Sequence, residues 1–160
     1  MLPDDPRTPE GDGATEVVLR TFRANGLFLA AGDLLAAPEG LTSARWQVLG
    51  AVVLAGRPLT VPQIARRMGL TRQSVQASVN RLVVDGLLEA AANPDHRRSL
   101  LIRLTERGRA TYAALDRRQA KWINELSVGL KTSELSTTAW ILEELGNRLN
   151  RTSPEEGKET

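Results

Sequence analysis

Residues 60–86, TVPQIARRMGLTRQSVQASVNRLVVDG, decide the fold of this chain because they encode two short helices joined by a tight turn. Thr60 and Gln63 have the spacing of a capping box with proline inside the first turn, which predicts a helix beginning after Thr60. Gly69 suits the left-handed position that follows a helix end, and Thr71 can cap the second helix. Helices of this length with this turn are typical of a helix-turn-helix motif.

The second helix is predicted to run to about Asp85, and its outward face is suited to reading DNA bases. At about 100° per residue, Val75, Val79 and Leu82 share the face that turns toward the core. No carboxylate precedes Asp85, and the candidate base contacts are Arg72, Gln73, Gln76, Ala77 and Asn80. Gln and Asn can hydrogen-bond adenine, Arg prefers guanine, and Ala can touch a thymine methyl group. The alternative is an ordinary amphipathic helix with a hydrated polar face.

Both helices also begin with groups that can bind phosphate. Helix N-termini expose backbone N–H groups, and the hydroxyls of Thr60, Thr71 and Ser74 can add further donors. Because every helix needs a cap, these hydroxyls have a purely structural alternative role.

A polar turn separates two short apolar runs that follow the helix-turn-helix. Residues 87–90 and 100–104 predict the strands of an antiparallel hairpin, or wing. The tip of the wing carries His96, Arg97 and Arg98, and Asp95 can pair with one of the arginines. A basic hairpin beside a recognition helix can lie along the adjacent minor groove. A hydrated tip with an internal Asp–Arg pair is the alternative.

The remaining segments predict helices and two polar ends. Residues 15–40 contain a helix from about Thr15 to Ala36, which from Gly26 onward is apolar around almost its whole circumference. Such a helix must be covered on every side, so a partner subunit is expected and the helix is assigned to dimerisation. Residues 41–105 form the winged helix-turn-helix, and 106–150 form two further helices. The ends predicted to be disordered are residues 1–14 and 151–160.

The charge distribution favours a polyanionic partner. The 160-residue chain has a net charge of +2, but between Arg57 and Arg109 there are ten arginines against four acidic residues. A basic middle between acidic ends is the pattern of a DNA-binding surface, although short windows also fluctuate by chance.

Composition argues against catalysis, a metal or a membrane span. The chain has one histidine and no cysteine, which leaves few nucleophile–base pairs and no thiolate ligands. No glycine-rich phosphate loop follows a strand, so neither an enzyme nor a cofactor is expected. No long apolar run and no secretory signal are visible, so the expected location is the cytoplasm, with nucleoid association when the protein is on DNA.

The motifs resemble those of the MarR family (multiple antibiotic resistance regulators). Three segments resemble that family's helix-turn-helix, namely LTRQSVQ at 70–76, NRL at 80–82 and DGL at 85–87. NPDHRRS at 93–99 and LTERG at 104–108 are similar to its wing and its wing-to-helix segment. The similarity covers roughly residues 15–149. One departure is His96, which stands where the family often has Asp immediately before the basic pair.

The resemblance implies a triangular homodimer on a pseudopalindromic operator in double-stranded DNA. The first helix and the last two would form the dimer interface. Arg97 or Arg98 would enter the minor groove, and Arg72, Gln73, Gln76 and Asn80 would face bases. Arg81, which follows Asn80 in the matched motif, joins the candidate DNA contacts.

The resemblance also implies a small aromatic or phenolic ligand, bound between the dimer helices and the winged lobe, that releases DNA. Asn25 and Asp33 lie on the apolar stripe of the first helix, where polar groups are either paired across the dimer or line a cavity. Trp46 and Tyr112 could form walls of such a cavity, but core packing is the favoured interpretation of both aromatic residues.

The sequence therefore predicts a mainly α fold with a small β-hairpin wing, in which dimerisation helices flank a winged helix-turn-helix core. The expected function is a sequence-specific repressor that a ligand releases from DNA. The alternative is a winged-helix module that binds protein and has no sequence-specific DNA binding.

Overall fold

The computed structural model describes residues 7–94, 96 and 98–152, and within them it has the predicted mainly α fold with a two-stranded hairpin. The helices are α1 (Pro9–Ala36), α2 (Ser43–Ala55), α3 (Val61–Met68), α4 (Arg72–Val84), α5 (Glu106–Leu126) and α6 (Thr132–Thr152). The strands are β1 (Leu88–Ala91) and β2 (Leu101–Leu104), and a short 3-10 helix spans Ala37–Glu39. The chain divides between Gln119 and Ala120 into two compact units.

The first helix begins earlier than predicted, at Pro9 instead of about Thr15. The hydroxyl of Thr8 accepts a hydrogen bond from the backbone N–H of Gly11 at 3.1 Å, and proline occupies the first helical position. Acidic residues in the first turn interact favourably with the helix dipole. The prediction of disorder over 1–14 is therefore wrong for residues 9–14, while residues 1–6 lie outside the described residues.

At the other end, α6 continues to Thr152, so the tail predicted over 151–160 is wrong for its first two residues. Residues 153–160 lie outside the described residues. The predicted start of α3 and the predicted bounds of α4 agree with the structure to within one or two residues.

The core lies in the first unit and is built from α2, α3, α4, the hairpin and α5. Val75, Val79 and Leu82 of α4 are 1%, 1% and 0% exposed, as their shared helical face predicts. They pack in one buried cluster with Leu49, Ile64, Leu88, Ile102 and Leu115. Burial of this face fixes which side of α4 is left to solvent.

The hairpin is tied to the helix-turn-helix by a contact that the sequence did not predict. β1 and β2 are antiparallel, with Leu88 opposite Leu104 and Ala91 opposite Leu101. Leu59, just before α3, pairs with Ile102 through two backbone hydrogen bonds of 3.1 and 2.7 Å. The wing and α3 are therefore held in register by the same backbone hydrogen-bond network.

The segment LTERG makes the junction between the hairpin and α5. The hydroxyl of Thr105 accepts a hydrogen bond from the N–H of Gly108 at 2.9 Å and donates to the carbonyl of Gly86 at 2.8 Å. A Cβ atom at Gly108 would lie 2.0 Å from the carbonyl oxygen of Leu87, so only glycine fits there without rearrangement. This junction fixes the start of α5 against the end of α4.

Candidate nucleic-acid interface

The turn between α3 and α4 has the local geometry that the sequence predicts. Thr60 and Gln63 form a reciprocal capping box at the start of α3. Gly69 adopts φ 63°, and the N–H of Leu70 reaches the carbonyl of Ala65 at 3.0 Å. The hydroxyl of Thr71 caps α4 by accepting from the N–H of Ser74 at 3.2 Å. These bonds set the point at which α4 begins and the direction in which it leaves the turn.

The solvent side of α4 carries the predicted polar face. Its exposed residues include all of the candidate base contacts, Arg72, Gln73, Gln76, Ala77 and Asn80. The side-chain amide of Gln76 donates to the Oδ1 atom of Asn80 at 2.7 Å, so the two amides are linked along the helix. The helix contains no carboxylate between Arg72 and Val84, which leaves this face free of charges that repel phosphate.

A groove of about 750 Å³ separates α4 from the wing. Its polar rim is formed by side chains of α4 together with Arg98 and Ser99 of the wing, and its floor contains Val79 and Ile102. Exposed side chains at the wing tip include His96 and Arg98. Arg97 and its neighbour Asp95 lie outside the described residues. Within the described residues, Arg98 and the exposed polar face of α4 therefore line the same groove. This polar face, which carries the candidate base contacts, is called the reading face below.

Most arginines near this surface are not neutralised by a carboxylate. The ion pairs of the winged region join Arg45 and Arg81 to Asp85, and Arg103 to Glu89. Other arginines of this region make no ion pair with any described residue, namely Arg57, Arg66, Arg67, Arg72 and Arg98. An excess of unpaired guanidinium groups gives the surface a positive potential that attracts polyanions.

Sequence reasoning missed Arg66 as a candidate phosphate contact. Arg66 is exposed and follows Pro62 by one helical turn, and Pro62 lines the groove beside α4. Residues four apart share one helix face, so Arg66 extends the same side of α3. The sequence shows two arginines, Arg66 and Arg67, in the last turn of α3. The direction in which each side chain points depends on which face of α3 is buried.

Arg81 differs from the other candidate contacts because it is already ion-paired. Its Nε atom lies 3.2 Å from the carboxylate of Asp85, which also receives a hydrogen bond from Nη1 of Arg45 at 3.5 Å. A second groove, of about 470 Å³, lies on the side of α4 that carries Arg81 and Asp85.

The four residues that were predicted to bind a small-molecule ligand lie in different environments in the structure. Asp33 caps α2, because its Oδ1 atom accepts from the backbone N–H of Ser43 at 2.6 Å. Asn25 is exposed on α1, and neither it nor Asp33 lines either groove beside α4. Of the two polar residues on the apolar stripe of α1, Asp33 therefore has a structural role that sequence reasoning did not assign.

The two aromatic residues proposed for the cavity, Trp46 and Tyr112, both pack against the core. The ring of Tyr112 lies close to Gly50, at 3.6 Å from the position that a Cβ there would take. Burial, together with the negative charge of Asp116, raises the pKa of the Tyr112 hydroxyl above its usual value. The raised pKa extends to higher pH the range over which the Tyr112 hydroxyl stays protonated and can donate a hydrogen bond.

Other site types find no support in the part of the chain that is described. No group of acidic and histidine side chains there could hold a metal ion. None of the helices formed by those residues is apolar over enough length to cross a membrane.

Comparison with known proteins places the helix-turn-helix and wing in one family. A model of the MarR family matches residues 39–99. An uncharacterized protein of Mycobacterium tuberculosis (strain H37Rv) is 45% identical over 127 residues, which is 79% of this chain and 87% of the relative.

Solved structures share the fold at low identity. A MarR family transcriptional regulator from Rhodococcus superposes with a TM-score of 0.73 at 22% identity, over 82% of this chain and 93% of that one. The M. tuberculosis transcriptional regulator MOSR, solved in complex with DNA, gives 0.69 at 22% identity, over 82% and 96%. BpsR of Bordetella bronchiseptica, described as regulated in DNA binding by 6-hydroxynicotinic acid, gives 0.70 at 22% identity, over 82% and 98%.

Proposed function

The chain belongs to the MarR family of winged-helix transcription regulators, and from that premise we propose that it is a homodimeric repressor of specific promoters. In this proposal two winged lobes bind a pseudopalindromic operator in double-stranded DNA, and a small aromatic or phenolic ligand releases them. The observation that carries the proposal is the reading face of α4, which is exposed, rich in amides and free of carboxylates.

The proposal assigns a role to each part of the surface. Gln73, Gln76, Ala77 and Asn80 contact base edges in the major groove, with Arg72 at the start of the helix. The first turns of α3 and α4, with Thr60, Thr71 and Ser74, contact phosphates. The tip of the wing, with His96, Arg97 and Arg98, lies along the minor groove.

The first experiment compares binding of the wild-type protein to the intergenic DNA upstream of its own gene with binding to random DNA of equal length. We expect selective binding that weakens steeply with salt, because several phosphates are neutralised. Fluorescence anisotropy at two salt concentrations measures both quantities. Absence of selectivity, both here and in a random-site selection, would contradict the proposal and favour a module that binds protein.

Repression and ligand release need separate tests. In a reporter driven by the same upstream DNA, expression should fall when the protein is supplied, whereas a rise would indicate an activator. The ligand is unidentified, so 6-hydroxynicotinic acid is a suitable first probe, since the structurally similar BpsR is described as responding to it. A decrease in operator affinity with no decrease in melting temperature would support release by a ligand that prefers a different lobe spacing.

A further inference from the structure

Asp85, at the C-terminal end of α4, contacts two arginines beside the reading face. We propose that Asp85 is a positioning residue that orients Arg81 toward a DNA phosphate. This inference rests on the proposed function and assigns a purpose to the carboxylate at the C-terminal end of α4.

The contact geometry leaves the outer edge of Arg81 available. Arg81 meets Asp85 through Nε, at 3.2 Å, and its Nη1 and Nη2 groups make no hydrogen bond to any described residue. A guanidinium group is a planar fork with five N–H donors, so fixing one edge also fixes the direction of the other donors. The side chain of Arg81 is 63% exposed, and these donors are accessible from solvent.

Asp85 is itself held in place from α2. Its side chain is only 25% exposed, and Nη1 of Arg45 lies 3.5 Å from its carboxylate. Arg45 is anchored in turn, because its Nε donates to the hydroxyl of Thr42, the N-cap of α2, at 3.3 Å. An isolated surface pair of Arg81 and Asp85 would be weakly ordered, but a carboxylate anchored on a second helix gives Arg81 a fixed partner.

Arg81 lies where a phosphate would be expected if α4 enters the major groove. Asn80 borders the groove on the wing side, whereas Arg81 borders the second groove on the opposite side of α4. Arg81 also follows Ala77 by one turn, so it continues the edge of the reading face. Side chains at the edges of a recognition helix commonly contact the sugar–phosphate backbone and fix its register.

Charge alone predicts the opposite effect of Asp85, which makes the inference testable by sign. Removal of a carboxylate from a DNA-facing surface makes that surface more positive and should strengthen binding to any DNA. If Asp85 positions Arg81, its removal should weaken binding even though the protein becomes more cationic.

The experiment measures operator affinity by fluorescence anisotropy across a salt series for Asp85→Ala, Arg81→Ala and the double variant. We expect each variant to bind about tenfold more weakly per half-site, the scale of one charge-assisted hydrogen bond, and so about a hundredfold more weakly on an operator with two half-sites. The slope of log affinity against log salt should become shallower by about 0.9 per half-site, or about 1.8 for the dimer, because each protomer loses one phosphate contact. In the Arg81→Ala background, Asp85→Ala should have no further effect.

Two further variants separate positioning from folding and from charge. Asp85→Asn removes the charge but keeps an acceptor for Arg81, so it should bind more tightly than Asp85→Ala. Asp12→Ala removes the carboxylate of the exposed Arg7–Asp12 pair, which lies outside the proposed DNA contacts and outside the segments assigned to dimerisation, and should leave DNA affinity unchanged. Melting temperatures identify any variant that fails to fold, and Asp85→Asn then replaces Asp85→Ala in the comparison.

Three results would overturn the inference. Stronger binding by Asp85→Ala would show that Asp85 acts only through its charge. An equal loss from Asp85→Ala with and without Arg81 would show that it acts only through packing of α4 on α2. A wild-type protein without DNA binding would overturn the proposed function itself, whereas the first two results leave that function intact.

Discussion

Asn80 is the residue whose role in base reading can be tested most directly. Its side chain is exposed in the middle of the reading face and is linked to Gln76 by a 2.7 Å hydrogen bond. We expect Asn80→Ala to cost about 1–3 kcal/mol per half-site of the operator and to relax specificity at one base position in each half-site. Affinities for a panel of single-base operator variants measure both effects.

The hydrogen bond to Gln76 also predicts that the two amides act together. The double variant of Gln76 and Asn80 should lose less operator affinity than the sum of the two single losses. The reason is that each single variant already removes the hydrogen bond that orients the other amide. Equal losses on operator and random DNA for Asn80→Ala would contradict a base-reading role.

Substitution of Arg98 should have a different effect on DNA binding, because Arg98 is expected to contact the DNA backbone and to be attracted by the negative potential of the minor groove. We predict that Arg98→Ala weakens binding to operator and random DNA to a similar degree and flattens the salt slope by about 0.9 per half-site, or about 1.8 for the dimer. Arg103 is a matched control on the same hairpin, since its guanidinium is already paired with Glu89 at 2.8 Å. A loss from Arg103→Ala as large as that from Arg98→Ala would indicate a general charge effect.

At the scale of the elements, the junction between the hairpin and α5 depends on Gly108. Replacing glycine by alanine inside a helix normally stabilises it by up to about 1 kcal/mol. At Gly108 we expect the opposite sign and a loss of about 1–3 kcal/mol, because the new Cβ would meet the carbonyl oxygen of Leu87 at 2.0 Å. Chemical denaturation of Gly108→Ala measures the change in the free energy of unfolding.

Gly13 provides the matched control for this prediction. It lies in α1 with no atom near the position of an added Cβ, so Gly13→Ala should be neutral or stabilising. Similar effects of the two substitutions would show that the contact between Gly108 and Leu87 is not as tight as the structure indicates.

Elements fixed by local chemistry were predictable from the sequence, whereas contacts between distant residues were not. The turn from α3 to α4 depends on Thr60, Gly69 and Thr71, all of which act on neighbours a few residues away. The pairing of Leu59 with Ile102 depends on tertiary packing that brings two separated segments together. The early start of α1 had a local signal in Thr8 and Pro9, but the glycines and acidic residues around it favoured a disordered interpretation.

In the candidate site too, features set by neighbouring residues were predictable from the sequence, whereas contacts between distant residues were not. The outward face of α4 could be predicted because Val75, Val79 and Leu82 define its buried side by periodicity alone. The partners of Asp33 and Asp85 could not, since Ser43 and Arg45 reach these two carboxylates from α2. The direction of Arg66 likewise depends on which side of α3 is buried.

At the scale of the whole molecule, each of the two units exposes several large apolar side chains. In the first unit, Phe22, Leu27 and Leu34 of α1 are 71%, 63% and 78% exposed. In the second unit, Val128, Trp140 and Leu149 are 81%, 64% and 68% exposed. Exposed large apolar side chains are candidates for burial in an association surface, so these residues support the proposed homodimer.

The proposed dimerisation through α1 leads to a prediction about operator binding. We expect Phe22→Asp to shift the protein from dimer to monomer and to weaken operator binding by about a hundredfold, because binding of two linked half-sites is lost. Sedimentation measures the first effect and anisotropy the second. Leu54→Asp is the control, because Leu54 is 80% exposed on α2, which is not assigned to the interface.

The spacing of the operator then tests whether the loss comes from geometry or from damage to the lobe. A two-fold dimer places its recognition helices about 34 Å apart, which is one turn of B-DNA. Insertion of about five base pairs between the half-sites rotates one of them by half a turn, so the wild-type dimer should lose most of its affinity. The Phe22→Asp monomer contacts only one half-site at a time and should bind both DNAs equally. If the dimer tolerates the insertion, the two lobes do not act as a rigid pair. If the monomer also binds the altered operator more weakly, the insertion has disrupted a half-site and the loss seen with the dimer does not come from spacing.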